Sequence, residues 1–361
     1  MPHLPLTLRS LALACAVVAG PAGAAEGFQV RYNLAGTLGG ELFAPVDLRG
    51  VAVGLVRSDA RLDKITGPDG GVVRLNVPGG TLPAPAAQNP TFPATSPQVD
   101  TTGELTQYNL LLARITPAER GDERWVVGLN LPYAARKAQK SRVSGPTPAL
   151  SFQPTVGPAL RAGAGATFNT LYQGQLAALG TAESTAVEGV GDVELQFGWM
   201  RRTEPLRLQA GASLVVPTGR FDPAAGTDVS LGKFYTLRPV VQAVWLPSPE
   251  VSLGGRMTYG ISNRNDDTGV RGGNWLSLEG AAGGLTRWGA LGLQGIHVQQ
   301  VQDDSGSPRG GNRLRASHLG VFYSAQIPVI ETGLSVNYMA TTDSRNARHG
   351  RYLQVRLARL F

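Results

Sequence analysis

From Val193 to the end of the chain one pattern returns again and again: apolar and polar residues alternate with a period of two over runs of about ten residues. Val193, Leu195, Phe197 and Trp199 fall on one face, with Glu194, Gln196 and Gly198 on the other. Leu206–Val216 repeats the alternation around Arg207, Gln209, Gly211 and Ser213. Tyr235–Trp245 puts Arg238 and Gln242 on its polar side, Val251–Ile261 puts Arg256 and Thr258 there, and Leu334–Thr341 follows the same rule. Successive side chains of a strand point to opposite faces, so each segment reads as a strand with one apolar and one polar wall. About ten residues is what a tilted strand needs to cross a bilayer, and roughly twice the usual globular strand.

The connections carry the second constraint. Strands are predicted near 48–57, 104–116, 123–134, 188–201, 205–217, 234–246, 250–262, 273–286, 290–302, 312–326, 332–342 and 350–361. Short joints at Pro117–Asp122, Arg202–Glu204, Pro247–Pro249, Arg287–Gly289 and Ile327–Glu331 alternate with longer loops, the longest being 58–103 and 135–187. Short periplasmic turns, long outer loops and an even strand number are the rhythm of a bacterial outer-membrane barrel. An open sheet edge in hydrocarbon would strand backbone amides, so the sheet must close. The fold class expected is all-β: a transmembrane antiparallel up-and-down β-barrel of about twelve strands. Pairing of Val72–Val77 or of part of 160–180 would change that number to ten or fourteen.

Export fits this reading. Arg9, the apolar run Leu11–Ala19 and Ala22-Gly23-Ala24 form a secretory leader, which divides the chain into a signal peptide (1–24) and a barrel (25–361). Cys15 is the only cysteine and lies in the leader, so the mature chain carries no thiol chemistry; lipidation at Cys15 would require an unusually short hydrophobic segment. Charged residues are sparse at 16% and glycine abundant at 47, as expected where half of each strand meets lipid. The net charge of +7 is spread along strands and not gathered in basic runs, which argues against nucleic acid as a partner. Residues 78–102 and 141–168, rich in Pro, Ala, Thr, Asn and Gly, read as irregular.

Trp125, Tyr133, Trp199, Tyr235, Trp245, Trp275 and Trp288 stand near predicted strand ends, where aromatic girdles meet headgroups. The last strand keeps Leu353, Val355 and Leu357 in phase and finishes on Phe361, which looks like the signal read by the outer-membrane barrel assembly machinery.

Catalytic and metal chemistry find little footing. His297, His318 and His349 are far apart, although the first two could approach across neighbouring strands; no close-spaced ligand set, cofactor motif or nucleophile–base pattern is present. The His-x-Ser-Asn-Gly arrangement of the twelve-stranded outer-membrane phospholipases is absent. Asp266-Asp267 and Asp303-Asp304 read as solvated loop charge, with a bridging calcium ion as the functional alternative. The lumen-facing set is the candidate pore lining: Arg124, Glu194, Arg207, Arg238, Gln242, Arg256 and Arg356, with Glu279 as a further partner. An excess of arginine would favour anionic solutes. Alternatively, arginine–glutamate pairs fill the lumen.

Gly191-Asp192, Val216-Pro217-Thr218-Gly219-Arg220-Phe221-Asp222, Trp245-Leu246-Pro247, Gly292 through Gln299-Gln300-Val301-Gln302-Asp303-Asp304, and the Gly350–Phe361 finish follow one another in the second half. In these pieces and their order it resembles the outer-membrane family of the meta-pathway of phenol degradation. Thr268–Gly272 departs from the family's aromatic-containing stretch. The resemblance implies a channel that admits small aromatic or hydrophobic molecules and supplies no catalytic residues. The expectation is therefore an outer-membrane channel or transporter for small organic solutes, possessing no cofactor and gated by 58–103 and 135–187. Its partners are outer-membrane lipid, the assembly machinery and the solute. The rival is a closed structural or adhesive barrel whose loops bind partners; it requires paired arginines. No strand face stands out as a subunit interface, so the oligomeric state is left open.

Overall fold

The computed structural model describes residues 30–32, 37–44, 48–82, 89–118, 122–182, 184–225, 227–307 and 312–361. The leader and its cleavage site lie outside these residues. Twelve long strands form the wall: β1 (Gly50–Ile65), β2 (Gln98–Ile115), β3 (Glu123–Ser144), β4 (Val193–Arg202), β5 (Leu206–Val216), β6 (Thr236–Ser248), β7 (Val251–Ser262), β8 (Trp275–Thr286), β9 (Gly289–Gln300), β10 (Arg315–Ile327), β11 (Thr332–Arg345) and β12 (Arg348–Leu360). Each is antiparallel to both neighbours, and β1 pairs with β12 as well as with β2, which closes the barrel. Phe361 seals the seam by exchanging backbone hydrogen bonds with Val51 at 2.8 and 2.9 Å.

The alternation sets which side meets lipid. Leu55, Leu110, Val127, Phe197, Val241, Leu253, Leu293, Leu319, Val321 and Leu353 are all exposed on the outer face. Trp125, Trp245 and Trp288 ring the end with the short turns, and Tyr108, Tyr133, Tyr235 and Tyr338 ring the opposite end. Ten residues separate Tyr235 from Trp245. At about 3.4 Å per residue and a tilt of about 40°, that spans ~26 Å, the height of an apolar band.

Three sequence expectations need correction. The first strands are far taller than predicted: β1, β2 and β3 run for 16, 18 and 22 residues, so the 58–103 loop shrinks to 66–97. Val73–Arg74 does pair, against Val99 and Gln98, but as an addition above the membrane and not as a crossing strand. The 135–187 loop is largely ordered: β3 continues to Ser144, a 25-residue helix, α1 (Pro158–Ala182), follows, and Thr185–Val190 returns along β3. α1 forms because Phe168, Tyr172 and Leu176, at a spacing of four, bury one face against Leu82 and Val143. No described helix is long and apolar enough to cross a membrane. Finally, Trp275 is not a girdle residue. It shares its parity with Ser277 and Glu279, points into the lumen and is 2% exposed.

Candidate permeation pathway

The lumen is not empty. The segment before β1, residues 30–32 and 37–44, runs inside the barrel from the loop end to the turn end. Its apolar side chains decide where it lies. Leu38 and Leu42 pack with Phe43 against Val244, Leu246, Ala281 and Phe322, inward positions that would otherwise face water. Nearer the outer mouth, Val30 joins Trp275, Ile296, Val298, Leu314, Ala316, Met339 and Tyr352 in a second internal core. Gly39 and Gly40 sit against the wall: a Cβ on Gly39 would lie 2.4 Å from the Phe322 ring, and one on Gly40 2.9 Å from Ser335 Cβ.

Polar contacts hold this internal segment at three levels. At the outer mouth Arg31 donates to Asp192 at 2.7 Å, to the Gly232 carbonyl at 2.9 Å and to the Phe234 carbonyl, and its guanidinium stacks over the Phe234 ring at 3.8 Å. Asp192 also accepts from Ser230 Oγ at 2.8 Å and the Gly219 N–H at 3.1 Å, while Thr218 Oγ1 bridges the Gly191 carbonyl and the Val193 N–H. The motif residues Gly191-Asp192 and Thr218-Gly219 thus build one receptor for Arg31. At mid-height Glu41 accepts from Arg256 at 2.6 Å, lies 3.5 Å from Arg356, and takes a hydrogen bond from Gln242 at 3.4 Å. Arg256 reaches Glu279 at 3.5 Å and donates to Thr37 Oγ1 at 2.6 Å and Gln242 Oε1 at 2.8 Å. At the turn end Arg207 donates to the carbonyls of Leu42 and Ala44 at 3.1 and 2.7 Å.

Of the predicted pore-lining residues, Gln242, Arg256 and Arg356 converge on Glu41, and Arg207 holds the segment's end. Arg238 pairs with Glu194 and donates to the Arg31 carbonyl at 3.1 Å. Arg124 stands apart, bonded to the Asp122 carbonyl at 3.3 Å. Arg238 and Arg256 are therefore met by carboxylates and Arg356 lies near Glu41, whereas Arg124 and Arg207 are bonded to uncharged backbone carbonyls, so part of the positive lining expected from sequence remains. Glu41 and Arg31 were not singled out from sequence. Their signal lay in the wall: the inward apolar residues Val244, Leu246 and Phe322 demand a partner inside.

The turn Gly39–Glu41 leans on β8 to β11, leaving space along the opposite wall. A cavity of about 640 Å³ lies there, bounded by Gly54, Ala113, Gly198 and Gly211 and by Glu194, Arg238 and Gln242. Small inward side chains keep this side open. Across its polar part runs a hydrogen-bond ladder: Gln107 to Asn109 at 2.9 Å, Asn109 to Asn130 at 2.8 Å, and Asn130 to Glu194 at 3.2 Å.

The remaining candidates resolve differently. His318 faces inward, 3.0 Å from Thr341 Oγ1, whereas His297 is on the opposite face of its strand beside Ser317 at 2.8 Å. They do not converge. Asp304 accepts the Gly273 N–H and the Gln300 amide, both at 2.7 Å, and Arg313 donates to Asp303 at 2.8 Å, holding its carboxyl below the usual carboxylate range. Asp267 pairs with Lys233 at 3.2 Å. These acids fasten loops. Among the described residues no group of three His, Cys, Asp or Glu side chains is placed to hold a metal.

Residues 122–357 match the family described as "Putative MetA-pathway of phenol degradation". Among solved structures, the COG4313 outer membrane channel from Pseudomonas putida F1 is similar in fold, with a TM-score of 0.61 and 13% identity over 87% of this chain and 96% of that one. The CymD monoaromatic hydrocarbon channel aligns over 95% of this chain and 98% of its own, at a TM-score of 0.37 and 10% identity. No curated protein matches the sequence.

Proposed function

The chain belongs to the phenol-degradation family of outer-membrane barrels, and on that premise we propose that it conducts small organic solutes across the outer membrane along the cavity beside its internal segment. The observation that carries this reading is the lopsided filling of the lumen. A barrel closed for purely structural reasons would be packed on all sides, whereas here one wall binds the segment and the other, where Gly54, Ala113, Gly198 and Gly211 alternate with amides and with Leu111, Val126 and Met200, borders a cavity of about 640 Å³. The wall chemistry favours neutral aromatic or otherwise hydrophobic solutes carrying a hydrogen-bonding group. Pairing of Arg238 and Arg256 with Glu41, Glu194 and Glu279 weakens the anion preference that the lining arginines would otherwise give. The gate is the internal segment, with the outer loops as a rim.

The paired arginines also favour a second reading, a closed barrel that binds partners by its loops. Flux separates the two. Proteoliposomes containing the folded protein are expected to take up labelled phenol faster than protein-free liposomes loaded in parallel, with benzoate trailing. Equal uptake with and without protein would support the closed barrel.

A further inference from the structure

Outside the lumen, charge is distributed unevenly around the barrel. On β12, β1, β2 and β3 the outward residues turn from apolar to charged at the level of the tyrosine girdle. Leu55 stands opposite Leu110 on β2 and Leu357 on β12; the next outward residue, Arg57, stands opposite Tyr108. Above them the strands carry Asp59, Arg61, Asp63, Glu104, Arg136, Lys140, Arg142 and Arg351 toward solvent. A groove of about 940 Å³ opens here, lined by Asp59, Arg61, Asp63, Glu104, Lys140 and Arg351, with Leu353 and Tyr338 at its edge. Beside β12, the next strands β11 and β10 carry fewer charges at this height, Arg315 paired with Asp343 and Arg345 next to them.

We propose that this groove binds the phosphorylated sugar headgroup of an outer-leaflet glycolipid. Position supports it: the charged floor meets the apolar belt where a lipid's headgroup meets its chains. Charge supports it as well. The groove's own lining is balanced, Arg61, Lys140 and Arg351 against Asp59, Asp63 and Glu104, and Arg57, Arg136 and Arg142 with Asp100 on the adjoining outer face bring the patch to six cations and four acids. The acids act as struts. Asp59 holds Arg57 at 2.8 Å, Asp63 lies 3.8 Å from Arg61 and 3.5 Å from Arg351, and Glu104 holds Arg136. Guanidiniums fixed in this way are pre-oriented for bidentate phosphate contacts. Lys140 and Arg142 make no ion pair among the described residues and supply the unmatched charge. The strands rise past the membrane on this side, so the headgroup would rest against a rigid sheet.

The test uses the folded, full-length mature barrel in detergent and lipid A as the probe, with binding followed by native mass spectrometry. A heat-induced gel shift confirms that each variant is folded. Bis-phosphorylated lipid A should bind, and its enzymatically dephosphorylated form should bind at least tenfold more weakly. Each basic residue near a membrane surface is worth about fivefold in affinity, so the Lys140→Ala/Arg142→Ala/Arg351→Ala variant should lose on the order of a hundredfold. Inorganic phosphate at millimolar concentration should not displace the lipid, since the apolar edge contributes. Equal binding of both lipid A forms, or undiminished binding by the folded triple variant, would overturn the proposal. Displacement by phosphate would do the same, reducing the site to a simple anion patch. Phenol flux is independent of every arm.

Discussion

Asp192 shows how much can hang on one side chain. It is 10% exposed, accepts from Arg31, Ser230 and the Gly219 amide, and is the point where the wall grips the internal segment. Removing a partner from a buried charge pair leaves the other ion unmatched, which costs more than the pair itself contributes. Asp192→Ala should therefore loosen the outer end of the segment while the strand ladder remains. A hydrogen bond to a charged group is worth about 1.5–3 kcal/mol, so the fraction of time spent in a conducting state should rise on the order of tenfold to a hundredfold in planar bilayers. Unchanged gating in a folded Asp192→Ala protein would show that Arg31 is a passive filler.

At the scale of elements, the strands were legible because lipid imposes a strict rule on the outer face. Leu195 with Phe197, or Leu237 with Val241, can face hydrocarbon only if the alternation is kept. The rule lapses above the membrane, where the outer face of β1 to β3 meets water instead of lipid, and Arg57, Asp59 and Arg61 hid eight further residues of β1. α1 was obscured by its glycines and alanines, although Phe168, Tyr172 and Leu176 were already spaced for one helical face. Trp275 was assigned to the girdle from its place at a strand end, when its parity with Glu279 pointed inward. Of the site, the wall residues were readable and their occupant was not. Leu38–Phe43 has no partner in sequence until the inward Val244 and Phe322 are seen as its receptor. β12 carries a prediction of its own: Leu353, Leu357 and Phe361 are exposed on one outer face with Val355 in phase between them, and we propose that the four are the assembly signal. Phe361→Ala should lower the amount of barrel inserted in cells several-fold, while the same variant refolded in detergent gives the normal heat-modifiable band. Normal insertion would remove that role.

In the whole molecule a lipid-facing shell encloses an interior partly filled by the segment that precedes β1. Strand closure fixes the shell, two internal apolar cores and the ion pairs at Arg31 and Glu41 fix the filling, and the space left over is the route we propose. In the proposed route, passage depends on this segment giving way. Gly40 and Ser335 allow it to be tied down, because a Cβ at Gly40 falls 2.9 Å from Ser335 Cβ. A disulfide needs about 3.5–4.5 Å between its Cβ atoms, a shift of roughly 1 Å. With Cys15 in the predicted leader, the mature chain offers no competing thiol. The decisive measurement is phenol flux through Gly40→Cys/Ser335→Cys protein in proteoliposomes, oxidised and then reduced. Flux near the protein-free level is expected when oxidised, with recovery to the unmodified rate on reduction. Equal flux in both states, with the crosslink verified by mass spectrometry, would contradict it.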